Sequence, residues 1–307
     1  MMKISQILLQ LILFIGFAPL LSGFIAKIKN NLRMRKGQSI LQPYYNLAKL
    51  FAKEEVVSET ASWIFRAAPF VVIAASLTAA SLIPVLIFTN PMRYAGDFLV
   101  LIFIFSLGRF FLALAALDSG SAFGGMGASR EMFISSLVEP ALCLVIFSVF
   151  LQFSSTDISA FSAMHALSAS SLVAAIALLL VTITETSRVP IDNQETHLEL
   201  TMIHEAMVLE YSGRRLALLE MASYIKQMIF FFLIAQIIFP IALPEFVNLG
   251  QLGFWILWYF TRIIIIAIIT ALVEISVAKM RLFRAVDFLA FAFVLGIIAT
   301  VCAIIGV

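Results

Sequence analysis

Four glutamates lie within long apolar runs of this 307-residue sequence, or at the ends of such runs: Glu139, Glu185, Glu220 and Glu274. Four further charged residues share this placement: Arg109, Lys226, Arg262 and Asp287. A lone charge at bilayer depth costs about 3 kcal/mol on insertion scales, so such groups face a protein interior or a path for water. Burial raises the pKa of a carboxyl group and a neighbouring Arg or Lys lowers it, so a chain of these groups can pass protons at neutral pH. Each glutamate could instead form a static ion pair that joins two helices, but four carboxylates on four apolar runs favour the proton or ion path.

The densest charge lies in residues 185–215, ETSRVPIDNQETHLELTMIHEAMVLEYSGRR, which hold six acidic residues, two histidines and three arginines. Pro190 disfavours helix at the residue before it. Asp192 can cap a helix, with Glu195 three residues later in a pattern like a capping box. The sequence therefore predicts a helix from Asp192 to about Tyr211, ended by Gly213.

The predicted helix would have two different faces. At helical spacing one face carries His197, Thr201, His204, Val208 and Tyr211. The opposite face carries Glu195, Glu199 and Glu210 with Met202 and Ala206. We expect one face to pack on a partner and the acidic face to border a polar cavity or a basic patch. The alternative is an exposed, solvated helix.

Composition assigns the chain to a class. Hydrophobic residues make up 62% of it, charged residues 12%, and the mean hydropathy is +1.06. A soluble domain carries about 25% charged residues, so we predict an all-α, polytopic membrane protein. The net charge of +2 does not point to nucleic acid. The first apolar run is long enough to span and lacks a small-residue cleavage site, so no cleavable signal is predicted.

The sequence predicts no metal or redox centre in this chain. Its two cysteines, Cys143 and Cys302, form no cluster, whereas iron–sulfur sites need about four thiolates. His197 and His204 are separated by six residues, which is not the spacing of a zinc protease. Any electron chemistry is therefore expected to belong to a partner, and whether the chain itself acts as an enzyme stays open.

Eight runs of about 20 apolar residues are long enough to span a membrane. They cover residues 4–26, 67–89, 98–117, 132–153, 169–186, 216–240, 253–275 and 285–306. We predict one integral membrane domain over residues 1–307. Its charged loops are 27–66, 118–131, 187–215 and 276–284. These loops hold 15 of the 20 Lys and Arg residues, and Lys226 in the following span is assigned to the same side, so the positive-inside rule places the loops in the cytoplasm and both termini outside.

Two of the loops carry further signals. After Pro43, the apolar residues Tyr44, Leu47, Leu50 and Phe51 predict a short amphipathic helix at the membrane interface. An ordinary basic loop that binds anionic lipid is the alternative. The glycines of residues 117–131 predict a tight bend, and the phosphate-loop pattern is absent from that loop.

Taken together, these residues resemble a known family: the first membrane subunit of respiratory complex I (subunit 1, or the H-type subunit in bacteria), with its relatives in group 4 nickel–iron hydrogenases and formate hydrogenlyase. The run Glu185-Thr-Ser-Arg188-Val-Pro190-Ile-Asp192 resembles the family motif E-x-x-R-x-P-(F/I)-D. The run Glu210-Tyr211-Ser212-Gly213 resembles its EYSG. The resemblance runs over nearly the whole chain.

Other positions carry the same resemblance. Arg130 is followed nine residues later by Glu139, as in the fourth span of the family, and Gly37 to Lys49 is similar to its first cytoplasmic loop. Glu195 and Glu199 fall where the family has further acidic residues.

Some residues depart from the complex I pattern and favour the hydrogenase branch. Gln38 follows Gly37 where the family has proline, and Asn46 stands near its usual acidic residue. Ser223 replaces a glutamate of the sixth span in complex I. The run from Glu274 to Arg281 resembles the hydrogenase-type relatives, whose membrane subunit is called C or D.

The resemblance implies a membrane-anchoring and proton-coupling subunit. Its partners would be a hydrogenase-like large subunit, a small iron–sulfur subunit, antiporter-like membrane subunits and lipid, in a prokaryotic cytoplasmic membrane. The partners would carry iron–sulfur clusters and a possible nickel–iron centre; a quinone is compatible with the family but disfavoured here. Two alternatives stay open: a quinone-site subunit of complex I type, and a scaffold that conducts no ions.

The resemblance also implies roles for individual residues. The expected proton path comprises Glu139, Glu185, Asp192, Glu195, Glu199, Glu210, Glu220, Glu274 and Lys226. The expected docking and structural loop residues are Arg35, Lys49, Arg130, Arg188, Pro190, His197, His204, Tyr211, Arg214 and Arg215.

Overall fold

The computed structural model describes residues 2–58, 61–83, 97–152, 156, 158, 168–192, 202–240 and 249–306. The regular elements in these ranges are ten α-helices. They are α1 (Met2–Leu32), α2 (Gln42–Ala52), α3 (Trp63–Leu82), α4 (Phe98–Asp118), α5 (Ala122–Leu151), α6 (Ala169–Glu185), α7 (His204–Val208), α8 (Gly213–Ile238), α9 (Leu249–Ser276) and α10 (Leu282–Ile305).

Seven of the described helices, α1, α3, α4, α5, α8, α9 and α10, are long and apolar enough to cross a membrane. The predicted span 169–186 is α6, whose 17 residues lie at the lower end of the length that can cross a membrane. The all-α, polytopic prediction is confirmed.

Helix α8 lies at the centre of the packing. It contacts α1, α2, α3, α6 and α9. In its apolar 18-residue stretch 72% of the residues are buried, compared with 22% in the corresponding stretch of α10. Phe230 and Phe231 are fully buried on it. Because α8 is central, a polar side chain on it is positioned against several other helices at once.

The amphipathic helix predicted after Pro43 is confirmed as α2. Pro43 lies in its first turn, in keeping with the preference for proline there. Pro43 and Leu47 are buried, while Tyr45 and Phe51 are exposed. The hydroxyl of Tyr44 donates a hydrogen bond to the carbonyl of Gly16, which ties α2 to α1.

The bend predicted across residues 118–131 is shorter than expected. It is confined to residues 119–121, where Gly120 has a positive φ of 68°. The hydroxyl of Ser121 accepts a hydrogen bond from the backbone N–H of Gly124 and caps α5, which then takes in the remaining glycines. Gly127 has a different role: an added Cβ would lie 2.9 Å from the carbonyl oxygen of Ile203, so its small size allows α5 to approach α7.

The continuous helix predicted from Asp192 to Tyr211 is wrong. Met202 and Ile203 are not helical, α7 covers only His204–Val208, and Gly213 (φ +55°) begins α8 instead of ending a helix. The carboxylate of Asp192 accepts hydrogen bonds from the backbone N–H groups of Ile203 and His204, both at 3.1 Å. Asp192 therefore binds the start of a helix distant along the chain. The predicted residues Glu195, His197, Glu199 and Thr201 lie outside the described residues.

Candidate functional site

The end of α6 places Glu185 among charged groups from three other helices. Arg109 Nη2 on α4 lies 3.0 Å from Glu185 Oε1, and Lys226 Nζ on α8 lies 2.5 Å from Glu185 Oε2. Arg109 Nη2 also lies 3.6 Å from Glu139 Oε1 on α5. We call these four residues the Glu185 cluster. The structure thus brings together three predicted proton-path residues: Glu139 and Glu185 share Arg109, and Lys226 binds Glu185 directly.

Burial varies across the Glu185 cluster. The side chain of Glu185 is 2% exposed and that of Arg109 7%, whereas that of Glu139 is 39% exposed. The hydroxyl of Ser106 donates a 2.7 Å hydrogen bond to Glu139. The Lys226 ammonium lies 5.8 Å from the centre of the Phe105 ring, within the range of a cation–π contact. The cluster therefore leads from a half-exposed carboxylate to a fully buried one.

A cavity of about 70 Å3 borders this cluster, and we call it the Glu185 cavity. Arg109, Glu131, Glu185, His204 and Lys226 are among its lining residues. A water molecule needs about 10–15 Å3 of such space and several polar partners, so the cavity can hold a short chain of waters.

The sequence reasoning missed Glu131. Glu131 directly follows Arg130 and lies at the end of an apolar run, as do the four glutamates named in the sequence analysis. The sequence predicts a loop over residues 118–131, and only the start of α5 at Ala122 places Glu131 on a helix that lines the cavity.

A second glutamate, Glu274 on α9, is also held by two cations. Its Oε1 lies 2.6 Å from Arg188 Nη1 and its Oε2 lies 2.7 Å from Lys29 Nζ on α1. Arg188 Nη2 also donates to Gln227 Oε1 on α8 at 2.8 Å. We call Lys29, Arg188, Gln227 and Glu274 the Glu274 cluster. It joins α1, α8, α9 and the segment after α6.

The segment after α6 is tied down again at Asp192, which is 1% exposed. Lys279 Nζ lies 3.2 Å from Asp192 Oδ1, while Oδ2 accepts the two backbone hydrogen bonds from the start of α7. The carbonyl of Pro190 accepts a 2.8 Å hydrogen bond from the backbone N–H of Met280. Asp192 and Pro190 therefore fix this segment to α7 and to the α9–α10 connection.

A larger cavity of about 310 Å3 borders the Glu274 cluster, and we call it the Glu274 cavity. Lys29, Arg188, Asp192, Tyr224 and Glu274 contribute to its lining. Ser187 lines both this cavity and the Glu185 cavity. The two clusters are thus neighbours along the chain and in space.

A third cavity of about 120 Å3 contains another predicted carboxylate, Glu220, and we call it the Glu220 cavity. His204, Glu205 and Tyr224 also line it. Glu210 is exposed and lines none of the three cavities described here. The structure therefore places Glu220 near the other carboxylates and Glu210 apart from them.

The predicted docking residues fall into two groups. Arg35, Lys49 and Arg214 are exposed. Others make contacts within the chain: Arg130 Nη1 donates to the carbonyl of Met202 at 3.1 Å, and Arg215 Nε lies 3.2 Å from Glu55 Oε2. Those contacts join the charged loops to one another.

Tyr211 belongs to the second group. It is buried, it stacks on Phe65 at 4.0 Å, and its hydroxyl donates to the carbonyl of Phe65 at 2.9 Å. Burial raises the pKa of this hydroxyl above the ordinary value for tyrosine, because the charged phenolate would lose its hydration. Tyr211 is therefore a structural residue of the loops and holds its proton.

The described residues contain no group of three or more His, Cys, Asp or Glu side chains that could hold a metal ion. Cys143 and Cys302 are free thiols on α5 and α10.

Comparisons with known proteins agree on one family. The family model described as NADH dehydrogenase matches residues 4–305. Formate hydrogenlyase subunit 4 of Escherichia coli (strain K12) is 30% identical over 286 residues, 92% of this chain and 92% of that protein. Hydrogenase-4 component C of the same organism is 31% identical over 278 residues, 89% of this chain and 87% of that protein. A chain in the structure of an archaeal respiratory complex, the membrane-bound sulfane sulfur reductase, superposes with a TM-score of 0.84 at 19% identity, covering 99% of this chain and 100% of that one.

Proposed function

This chain belongs to the NADH dehydrogenase family, which includes the first membrane subunit of complex I, and from that premise we propose that it couples protons within a multisubunit redox complex. In this proposal it is a membrane subunit that docks a soluble electron-transfer arm and supplies carboxylates to an ion path. The relatives named formate hydrogenlyase subunit 4 and hydrogenase-4 component C favour a hydrogenase-type complex.

The observation that carries the proposal is the Glu185 cluster beside its cavity. Two carboxylates, Glu139 and Glu185, share the guanidinium of Arg109, and a third, Glu131, lines the adjoining cavity. Three carboxylates face two cations, so the group holds one acid more than its cations neutralise. The extra acid gives a proton a place to reside within the group, which is the property that a relay requires.

The cavity separates this arrangement from a static ion pair. A pair that only joins helices gains most when packed tightly without water, because the surrounding low dielectric strengthens it. The Glu185 pair instead adjoins space for several waters and a further ionisable group. Ser187 lines both that space and the larger Glu274 cavity, so a second polar cavity lies beside the first on the side of α1 and α2.

The docking role rests on the loops. Arg35, Lys49 and Arg214 present exposed positive charge. Tyr45 and Val56 present exposed apolar surface, 62% and 76% of each residue, on the loop that holds α2. Charge mixed with exposed apolar side chains is the composition of an interaction surface. In the proposal a hydrogenase-like large subunit and a small iron–sulfur subunit bind there, and they carry the iron–sulfur clusters and any nickel–iron centre.

We place this complex in a prokaryotic cytoplasmic membrane, with the charged loops in the cytoplasm and both termini outside. The excess of Lys and Arg in those loops is the argument for the orientation. Antiporter-like membrane subunits would be further neighbours within the bilayer.

A quinone-site role is the second candidate, because it predicts a cavity between the loops 27–66 and 187–215 and the spans. The Glu274 cavity lies there, lined from α1, α2, the segment after α6, α8 and α9. Its lining includes the charged groups of Lys29, Arg188, Asp192 and Glu274. Such a lining suits water better than an apolar quinone tail, so we prefer the proton path.

The first test is purification of the complex through this chain in mild detergent, with mass spectrometry and metal analysis of the co-purifying subunits. Nickel and a hydrogenase-like large subunit are expected. Bound quinone with iron–sulfur proteins but no nickel would favour the second candidate. The absence of any soluble partner would contradict docking.

The second test is Glu185→Gln in the assembled complex. We expect normal electron transfer with loss of proton translocation, measured as acidification of sealed vesicles by a pH-sensitive dye. Unchanged translocation in a fully assembled Glu185→Gln complex would contradict the path and favour the scaffold that conducts no ions.

A further inference from the structure

Three residues separate the Glu185 cavity from the Glu220 cavity. His204, Leu219 and Ser223 line both. Glu131, Glu185 and Lys226 lie on one side of this wall, and Glu205, Glu220 and Tyr224 lie on the other. Because these three residues line both cavities, their side chains are the candidates for passing a proton between the carboxylates of the two cavities.

We propose that His204 is a proton-transfer residue that connects the Glu220 cavity to the Glu185 cluster, an inference that rests on the proton path proposed above. Leu219 can neither accept nor donate a proton. The Ser223 hydroxyl can pass a proton only while it receives another, because it holds no extra proton near neutral pH. An imidazole can hold the proton between two separate transfers, because it accepts at one ring nitrogen and donates from the other.

The backbone at His204 is held in place. The buried carboxylate of Asp192 accepts hydrogen bonds from the backbone N–H groups of Ile203 and His204, and Lys279 binds the other oxygen of that carboxylate. Ile203 and Ala206 pack against Gly127 of α5, where a Cβ would meet each of them at 2.9 Å. The start of α7 is therefore held from two directions, beside the two cavities that His204 lines.

The surroundings also suit the charge states of a relay. Burial lowers the pKa of His204 below its ordinary value of 6.5, and Lys226 acts in the same direction, while Glu205 and Asp192 oppose them. The net effect favours the neutral imidazole at pH 7. A neutral ring can accept a proton, and the nearby carboxylates stabilise the imidazolium that forms transiently.

The transfer has two steps. The carboxylic acid of Glu205 or Glu220 gives its proton to one ring nitrogen, directly or through a water, leaving a carboxylate and an imidazolium. The other ring nitrogen then gives its proton to the carboxylate of Glu131, forming a carboxylic acid and a neutral imidazole. Exchange with cavity water restores the starting tautomer, and charge and protons balance at each step.

The test uses the complex isolated by this chain, in sealed vesicles, energised by the electron donor that its co-purified subunits oxidise. The variants are His204→Gln, His204→Ala, Ser223→Ala and Glu185→Gln, each checked first for co-purification of all partner subunits. We expect His204→Gln to lower proton translocation per electron about tenfold or more, since positioned acid–base groups contribute roughly 10²–10⁴-fold. Added imidazole is expected to restore translocation in His204→Ala, which a purely structural role for the ring would not allow.

The other variants distinguish a failure of this inference from a failure of the proposed function. If Glu185→Gln stops translocation while His204→Gln does not, the relay through His204 is wrong and the proton path stands. If neither variant affects translocation, the path and the relay both fail. A loss in Ser223→Ala with normal His204→Gln would assign the transfer to the serine, and a His204→Ala defect that imidazole cannot restore would make the histidine structural.

A second measurement needs no electron donor. Solid-state NMR of the intact complex, with this chain's histidines labelled with 15N, reports the protonation of each ring, and His204→Gln identifies the His204 signals. We expect a neutral ring at pH 7 that gains its proton below pH 6.5. A ring that stays neutral down to pH 4, or one already charged at pH 7, would overturn the inference.

Discussion

Glu185 and Glu274 are each buried carboxylates held by two cations from different parts of the chain, yet their surroundings differ in one respect. Around Glu185, the arginine also serves Glu139, and Glu131 adds a third acid across the cavity. Around Glu274, the second contact of the arginine is the neutral amide of Gln227. An excess of acids allows a proton to move among them, whereas a carboxylate with two dedicated cations stays charged. We therefore interpret the Glu185 cluster as the relay and the Glu274 cluster as a brace.

The brace gives the largest expected effect on stability. Arg188→Ala leaves the carboxylate of Glu274, 1% exposed, with one cation fewer. Removing one partner of a buried pair typically costs about 3–5 kcal/mol, because it leaves an uncompensated buried charge. We expect a lower midpoint of thermal unfolding in detergent and release of partner subunits. Arg35→Ala, at an exposed position, is the matched control. Equal unfolding midpoints in the two variants would mean that the Glu274 cluster contributes no more to stability than an exposed charge.

The two glutamates can be compared directly. Glu185→Gln and Glu274→Gln remove the same charge from similar surroundings. We expect Glu185→Gln to lower proton translocation about tenfold or more while the complex remains assembled, since a carboxamide cannot carry the proton. Glu274→Gln is expected to lower the unfolding midpoint with translocation per assembled complex close to the wild type. The opposite assignment of the two defects would reverse our interpretation of the clusters.

Glu139 is predicted to have a smaller effect. Its side chain is 39% exposed and lies 3.6 Å from Arg109, so the ion pair contributes less than about 1 kcal/mol to stability. Glu139→Gln should therefore leave the unfolding midpoint almost unchanged and lower translocation less than Glu185→Gln does. Glu210→Gln, an exposed acid outside the described cavities, should change neither quantity. Equal translocation in Glu139→Gln and Glu210→Gln would exclude Glu139 from the path.

The smallest effect concerns pH. Burial lowers the pKa of His204 in the folded chain, so the unfolded chain binds the proton more readily. The associated stability is fully present above about pH 6.5 and is lost as the pH falls from there towards the lower pKa of the folded state. Between pH 7.5 and 5.5, the unfolding midpoint of the wild type should fall more than that of His204→Gln. Parallel curves would show that His204 keeps an ordinary pKa.

Particular elements show how far sequence reasoning reached. Helix α2 was predicted correctly because proline position and apolar spacing are local signals, and the apolar runs located the spans because a membrane requires about 20 such residues. The helix from Asp192 to Tyr211 was wrong because its cap acts across the fold: Asp192 binds N–H groups that lie 11 and 12 residues away. Glu131 was missed because the predicted bend included the residues that form the first turns of α5.

Composition and local spacing are enough to assign the class of this protein, its membrane spans, the family motifs and the positions of charged residues in apolar runs. The chain carries these properties whatever its fold. Which charges meet depends on the packed fold: Arg109 joins Glu139 to Glu185, Glu274 is held by Lys29 and Arg188, and His204 lines two cavities. Those pairings join residues up to 245 positions apart (from Lys29 to Glu274), so the packing of the helices against one another sets them.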